Sequence, residues 1–227
     1  MQPYFLPYIG YFQLIAAVDR FVVYDNIKYT KKGWINRNRF LSGGHDEVFS
    51  LPLQKASDAL DVRERRLAPG FDRAKLLNRL AEAYRRAPYF DEVMPLLRQI
   101  IEHHGDNLFD FIYHALIVVC GRLGIGTPLL VSSALEIDHG LQGQDRVMAI
   151  CRRLGANTYI NAIGGRDLYS RDAFAEHGID LHFLQSRPCD YPQFGQPFVP
   201  WLSILDVMMF NAPESIASGL LGQYDLV

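Results

Sequence analysis

The chain has 227 residues, 49% of them hydrophobic and 21% charged, with a formal net charge of −2. Those values suit one globular domain, alone or carrying a helical insertion, and the near-neutral charge gives no reason to expect duplex nucleic acid as a partner. No stretch approaches the ~20 apolar residues of a membrane span. The opening segment also lacks the basic n-region and small-residue cleavage site of a secretory signal. Cys120, Cys151 and Cys189 are odd in number and far apart, which reads as reduced thiols in a cytoplasmic protein.

The chain opens MQPYFLPYIGYFQLI, five aromatics and two prolines without a charge. It is expected as a turn and helix following a first strand upstream of Met1, so that the chain starts one element late. FVVYD (21–25) has the profile of a short buried strand ending in a polar residue. RFLSGGHDEVFSLPL (39–53) predicts a hairpin turning at Gly43-Gly44 and closed by Pro52. Three helices follow, over 73–87, 91–104 and 107–124, the last with Asn107 as N-cap and Gly124 as C-cap.

Strand and helix then alternate: strands at 127–133, 158–163 and 179–185, helices at 144–155, 170–178 and from 202 to 211. Alternation of this kind implies a parallel sheet with right-handed crossovers. The expected fold is one α/β domain over 1–227, Rossmann-like, with a mainly parallel sheet, flanking helices, and 73–124 as an inserted helical subdomain.

Several motifs carry candidate chemistry. In QPYFLPYIGYF (2–12), two prolines fix a loop at the position where nucleotide-binding α/β units approach phosphates. Phe5, Ile9, Phe12 and Leu14 read as core, whereas the polar tips of Gln2, Tyr4 and Tyr8 are candidates to line a pocket. The loop has neither a GxGxxG fingerprint nor paired histidines, which counts against simple adenylyl transfer.

KYTKKGWINRNRF (28–40) has no acidic residue and gathers Lys28, Lys31, Lys32, Arg37 and Arg39 around Trp34. It is either a solvated basic hairpin or an anion-binding patch with an aromatic to stack on. Strict alternation puts Trp34, Asn36 and Asn38 on one face and Ile35, Arg37 and Arg39 on the other. Asp25 either orients Lys31 or Lys32, acts as a base, or forms a structural salt bridge to Arg37 or Arg39.

In NAIGGRDLYS (161–170), Gly164, Gly165 and Arg166 form a strand-to-helix loop suited to an anion, or a plain tight turn. Ser133 occupies the equivalent edge position after its own strand, without a Gly-x-Ser-x-Gly setting. Asp206, on an apolar helix, must be satisfied if buried. His103, His104 and His114 lack the spacing of a metal site, and none is expected.

The segments QPYFLPYIGYFQLIAAVDRFVVYD, KKGWINRNRF, NAIGGRDLYSRDAF running into GIDLHFL, and PWLSILDVMMFN resemble the WbqC-like family, in that family's order. Two departures stand out: the strand that normally precedes the QPY motif is absent, and Pro-Trp stands where Pro-Asn is expected. The resemblance implies a role in surface-polysaccharide or O-antigen assembly, with transfer of an acyl or aminoacyl group, such as glycyl, onto an amino sugar. In that reading Trp34 stacks the donor or base. Arg37, Arg39 and Arg166 hold phosphate or carboxylate, Asn36 and Asn38 add hydrogen bonds, and Asp25 takes a proton. The implied partner is a small anionic or nucleotide-linked substrate. No cofactor is evident beyond a nucleotide or acyl donor. A nucleotide-dependent ligase or nucleotidyltransferase-like enzyme, and a non-catalytic nucleotide-sugar-binding or scaffold protein, are the alternatives.

Overall fold

The computed structural model describes residues 1–195 and 197–227. After the turn at Pro7 the chain enters helix α1 (Ile9–Ala16), whose residues Ile9 to Ile15 are all buried. Strand β1 (Phe21–Val23) follows. The hairpin is formed by β2 (Arg37–Ser42) and β3 (His45–Ser50), with Arg37 opposite Ser50. Gly43 and Gly44 lie at φ 58° and 84°, the left-handed pair that a two-residue hairpin turn matched to strand twist demands.

Helices α2 (Arg73–Tyr84), α3 (Phe90–Ile101) and α4 (Leu108–Arg122) are the three expected from the apolar spacing. Asp72 and Asn107 cap α2 and α4 by accepting first-turn backbone N–H groups. Their apolar faces do not form a separate core. Leu80, Leu97, Ile112 and Leu116 pack in one continuous cluster with Phe5, Phe12, Phe40 and Phe49.

The second half is built from β4 (Leu129–Val131), α5 (Gly143–Leu154), β5 (Thr158–Ala162), α6 (Arg171–Ala175), β6 (Asp180–Ser186), α7 (Ile204–Phe210), α8 (Pro213–Ser218) and β7 (Tyr224–Leu226). Strand β6 pairs in parallel with β5 on one side and antiparallel with β7 on the other. This sheet has a core on each face. Ile160, Ala162 and Leu184 join the main cluster with α1. Leu181 and Phe183, with Tyr159 beside them, pack against Val147, Met148 and Cys151 of α5 and Phe174 of α6.

The fold is therefore mixed α/β, but the single mainly parallel sheet expected from the alternation is not what forms. Among the described residues the strands make three small sheets: β1–β4 parallel, β2–β3 antiparallel, and β5–β6–β7. The physical reason is a gap. Between β1 and β5 lies a cavity of about 510 Å³, lined by both strands and by residues of α1 and α5.

Buried polar groups are resolved by local networks. Asp206 accepts hydrogen bonds from the hydroxyls of Tyr84 (2.8 Å) and Tyr191 (2.7 Å) and from Gln193 Nε2 (2.6 Å). His103 stacks on His114 with ring centroids 4.1 Å apart. Cys120 and Cys151 are buried, and burial pushes their thiols up to about 12 and about 11. No helix among the described residues is long and apolar enough to cross a membrane.

Candidate functional site

Parallel register determines the first cluster. Val23 lies opposite Val131, so two residues further on Asp25 meets Ser133 at the shared C-terminal edge of β1 and β4. Asp25 Oδ1 accepts from Ser132 Oγ and from the Ser133 backbone N–H, each at 3.0 Å, and Oδ2 accepts from Ser133 Oγ at 2.6 Å. Burial acts to raise the Asp25 pKa. The hydrogen bonds from Ser133 and Ser132 outweigh it and hold the carboxyl below the usual carboxylate range. Its nearest cation is Arg63 Nη1, at 3.9 Å. Lys31 instead pairs with Asp58 at 2.8 Å, and Lys32 is exposed, so neither lysine is the cation of Asp25. Arg37 and Arg39 are also engaged elsewhere.

A depressed carboxyl contributes stability above its unfolded pKa, and that contribution is lost as pH falls through the folded value. The expected result for Asp25→Asn is a flatter loss of stability below about pH 4. Urea unfolding at pH 7 and pH 3.5 measures it, and an unchanged pH slope would contradict the assignment.

Next to Asp25, Asn26 is held by Arg146 of α5, which donates Nη1 to the Asn26 carbonyl (3.1 Å) and Nη2 to its side-chain oxygen. The same guanidinium lies 4.9 Å over the ring of Tyr24. The glycine loop is tied to α5, the helix that carries Arg146. Ile163–Leu168 forms a 3₁₀ turn after β5, and at its end the Ser170 N–H donates to Gln144 Oε1, at 2.7 Å. A Cβ on Gly165 would sit 2.6 Å from Asn161 Nδ2, so a larger residue there displaces that amide; Gly164 faces open space. Arg166 is exposed and makes no hydrogen bond or ion pair among the described residues.

The second cluster is the WINRNR ribbon. The strict alternation of faces does not occur, because β2 begins only at Arg37 and residues 33–36 bend. Trp34, 42% exposed, sits with Arg37 and Arg39 instead of opposite them: their guanidinium carbons lie 5.3 and 5.6 Å from its ring centroid. Arg37 is braced by the carbonyls of Gly33 (2.9 Å) and Lys32 (2.6 Å), which use Nε and Nη2 and leave Nη1 available. Arg39 reaches Asp46 at 3.2 Å and the Trp201 carbonyl at 3.1 Å, while its buried Nε has no partner among the described residues.

Asn36 and Asn38 turn inward to backbone. Asn36 Nδ2 donates to the Leu51 carbonyl and its Oδ1 accepts from the Tyr29 hydroxyl. Asn38 Nδ2 donates to the carbonyls of Phe5 (3.3 Å) and Leu6 (2.8 Å). These two asparagines position the ribbon and the opening loop.

That opening loop links the clusters. At one end the Met1 backbone bonds β1; at the other, Tyr8 packs edge-on to Trp201 at 5.8 Å over an apolar pocket of about 200 Å³. Gln2 Oε1 accepts from the Tyr4 hydroxyl at 3.1 Å, so the two polar tips are joined within the loop. Leu6 and Trp201 hold φ of 45° and 60°, left-handed backbone that side chains disfavour. The Leu6 carbonyl is pinned by Asn38 and by Ser203 Oγ (2.7 Å), which over-determines the strained turn.

The structure thus brings Trp34, Arg37 and Arg39 into one surface, to which Tyr8 is joined through Trp201, and Asp25 and Ser133 into another, while the glycine loop is tied to α5 through Ser170 and Gln144. Asn26, Arg63, Arg146 and Trp201 were not foreseen. Only Trp201 had a legible signal: it is one of two tryptophans and follows a proline near an apolar helix. The arrangement presents an exposed indole flanked by two guanidinium groups, which suits a planar ring carrying negative charge.

The profile of the WbqC-like protein family matches residues 2–218. An uncharacterized protein of Mycobacterium tuberculosis is similar to the chain, with 33% identity over 93% of this chain and 91% of its own length. No solved structure matches.

Proposed function

The chain belongs to the WbqC-like protein family, and from that premise we propose that it is a transferase that places an acyl or aminoacyl group on the amine of a nucleotide-linked amino sugar in surface-polysaccharide synthesis. The observation that supports this reading is the Trp34 platform. An indole 42% exposed with Arg37 and Arg39 beside it suits a base or sugar ring with its phosphates.

In the proposed reaction the sugar amine attacks the carbonyl carbon of an acyl thioester or ester. A C–N bond forms, the C–S or C–O bond breaks, and the leaving thiolate or alkoxide takes up the proton the amine releases. Both Asp25 oxygens already accept hydrogen bonds. That carboxylate therefore acts by anchoring Ser133 and the strand ends, and the leaving group is the proton acceptor. Arg166, without a partner among the described residues, supplies a further anion contact. Catalysis here rests on positioning and electrostatics, with no covalent nucleophile.

Asp25, with three hydrogen bonds already holding its carboxylate, also favours a second reading, a binding module that delivers the nucleotide sugar without reacting it. One experiment separates the two. The protein is incubated with a nucleoside-diphosphate amino sugar and an acyl thioester, an aminoacyl ester, or ATP with an amino acid, and the sugar is weighed by mass spectrometry. A mass gain from a preformed donor supports the transferase. A gain only with ATP points to a ligase, and binding without a mass gain points to the module.

For either reading, Trp34→Ala and Arg37→Ala should each weaken binding of the nucleotide sugar about tenfold, the effect of losing ~1.4 kcal/mol of stacking or charge-assisted hydrogen bonding. Calorimetry on folded variants measures it. Unchanged affinity in both would remove the ribbon from the site.

A further inference from the structure

A hollow of about 200 Å³ adjoins the Trp34 platform. Ile9 of α1, Val207 of α7 and Leu202 line it and are buried, so they make its floor. Tyr8 and Phe198 are half-buried and Trp201 is 55% exposed, which places these three rings at the rim. The polar residues around it are committed to other partners. The Tyr191 hydroxyl donates to Asp206 Oδ2 at 2.7 Å, so its ring meets the hollow as hydrocarbon. Arg187 Nε lies 3.1 and 3.0 Å from the two carboxylate oxygens of Asp225, and Cys189 Sγ donates to the Arg187 carbonyl at 3.3 Å. The Ser186 hydroxyl is tucked against Gly10, where a Cβ would lie 2.4 Å from it, and Asp190 is exposed. An occupant therefore gains by burying hydrocarbon, and an unpaired polar group carried inside would lose its hydration.

The rim is built into the platform. Trp201 holds a φ of 60°, left-handed backbone that persists in such a residue only where its surroundings impose it. Arg39 Nη2 donates to the Trp201 carbonyl at 3.1 Å, and the Ser203 N–H donates to the Arg39 carbonyl at 2.9 Å. Tyr8 packs edge-on to the indole at 5.8 Å. These contacts hold a large ring open to solvent beside the hollow. Arg39 is also one of the two cations beside Trp34. A single guanidinium thus stands between a charged, ring-stacking surface and a hydrocarbon-lined pocket.

We propose that this pocket receives the acyl group of the donor, and that the group is a branched aliphatic chain or a single aromatic ring. The assignment rests on the transferase reading above and specifies its substrate. A dry cavity of about 150 Å³ accepts a benzene ring, so this one admits one ring or a branched chain of about four to six carbons. A glycyl or acetyl group has a single carbon beyond its carbonyl and leaves the hollow unfilled. With the apolar body seated on Ile9, Leu202 and Val207, the thioester carbonyl lies at the rim, on the side of Arg39. There the sugar amine attacks the carbonyl carbon. The C–N bond forms, the C–S bond breaks, and the thiolate leaves with the proton that the amine gives up.

Cys189 reports occupancy without turnover. It lines the pocket half-buried, whereas Cys120 and Cys151 are buried in the core. Its alkylation by iodoacetamide at about pH 9 is timed against increasing acetyl, isovaleryl, benzoyl or decanoyl thioester of N-acetylcysteamine. Isovaleryl and benzoyl should protect Cys189 at concentrations at least about tenfold below acetyl, because each buried methylene tightens binding about fourfold. Decanoyl, too long for the hollow, should gain nothing over isovaleryl. Phe198→Ala, at the half-buried rim, should narrow the difference between isovaleryl and acetyl. Equal protection by those two in the unaltered protein would overturn the proposal. So would tightening that continues to decanoyl, the mark of an open apolar groove. The same donors are then given with a nucleoside-diphosphate amino sugar. Equal mass gain from acetyl and isovaleryl would refute the acyl pocket and leave the transferase standing. Selective protection of Cys189 with no mass gain from any donor would refute the transferase and support the pocket.

Discussion

Replacing Asp206 with alanine should destabilise the protein by about 3–5 kcal/mol, a large effect for one side chain. Asp206 is fully buried on α7 among Leu205, Val207 and Met209. Removing it leaves the Tyr84 and Tyr191 hydroxyls without their acceptor and Gln193 Nε2 with only the Val199 carbonyl. Each orphaned buried donor costs roughly 1–3 kcal/mol, and partial rearrangement keeps the sum below simple addition. Tyr84 also donates position to the hairpin, because its oxygen accepts from the Leu41 N–H. The damage therefore spreads from α7 to β2, on which Arg37 and Arg39 are mounted.

The pH dependence separates this role from that of Asp25. Burial raises the Asp206 pKa more than its three donors lower it. A raised carboxyl contributes stability below its unfolded pKa, which is lost as pH rises through the folded value. Asp206→Asn should thus remove a decline in stability that sets in as pH rises above about 4, where Asp25→Asn acts at lower pH and with the opposite sign. Urea titrations across that range measure both. A wild-type midpoint that shows no decline as pH rises above about 4 would contradict the assignment.

How far the amino-acid sequence foretold these features depends on the range of the interactions involved. The Gly43-Gly44 hairpin, α2 to α4 and the β5–α6–β6 unit follow from local turn chemistry and apolar period, which short windows of sequence carry. Strand β7 escaped notice because three residues at 224–226 pair only with β6, nearly forty positions away. The division into three sheets was equally hidden, since alternation of strand and helix specifies hands and order but not whether neighbouring edges touch. Within the site, residue types in WINRNR pointed correctly to an aromatic with cations. The facing of the asparagines did not follow, because the segment bends before Arg37 and period-two reasoning applies only within a strand. Arg63 and Arg146 were illegible for a different reason: many arginines are solvated, and only the fold shows which reach Asp25 and Asn26.

Gly10→Val is expected to cost about 2–3 kcal/mol and to disturb the Trp34 surface as well. Glycine inside a helix is ordinarily a weakness, and replacement by alanine at an open site gains up to about 1 kcal/mol. The position is closed here. A Cβ on Gly10 would lie 2.4 Å from Ser186 Oγ and 2.4 Å from Tyr8 Cε2, well inside contact distance. The Ser186 hydroxyl is already buried without a partner among the described residues, and any shift in β6 pulls on the sheet it shares with β5. The cheaper escape is for the Tyr8 ring to swing away. That breaks its edge-on packing with Trp201, whose carbonyl holds Arg39. Even Gly10→Ala should therefore destabilise, reversing the sign that helix propensity alone predicts. Denaturation would give the energy, and a red shift in tryptophan fluorescence would report Trp201 losing its partner. A stabilised Gly10→Ala protein with unchanged fluorescence would mean that the opening loop and the Trp34 surface are not mechanically joined through Tyr8.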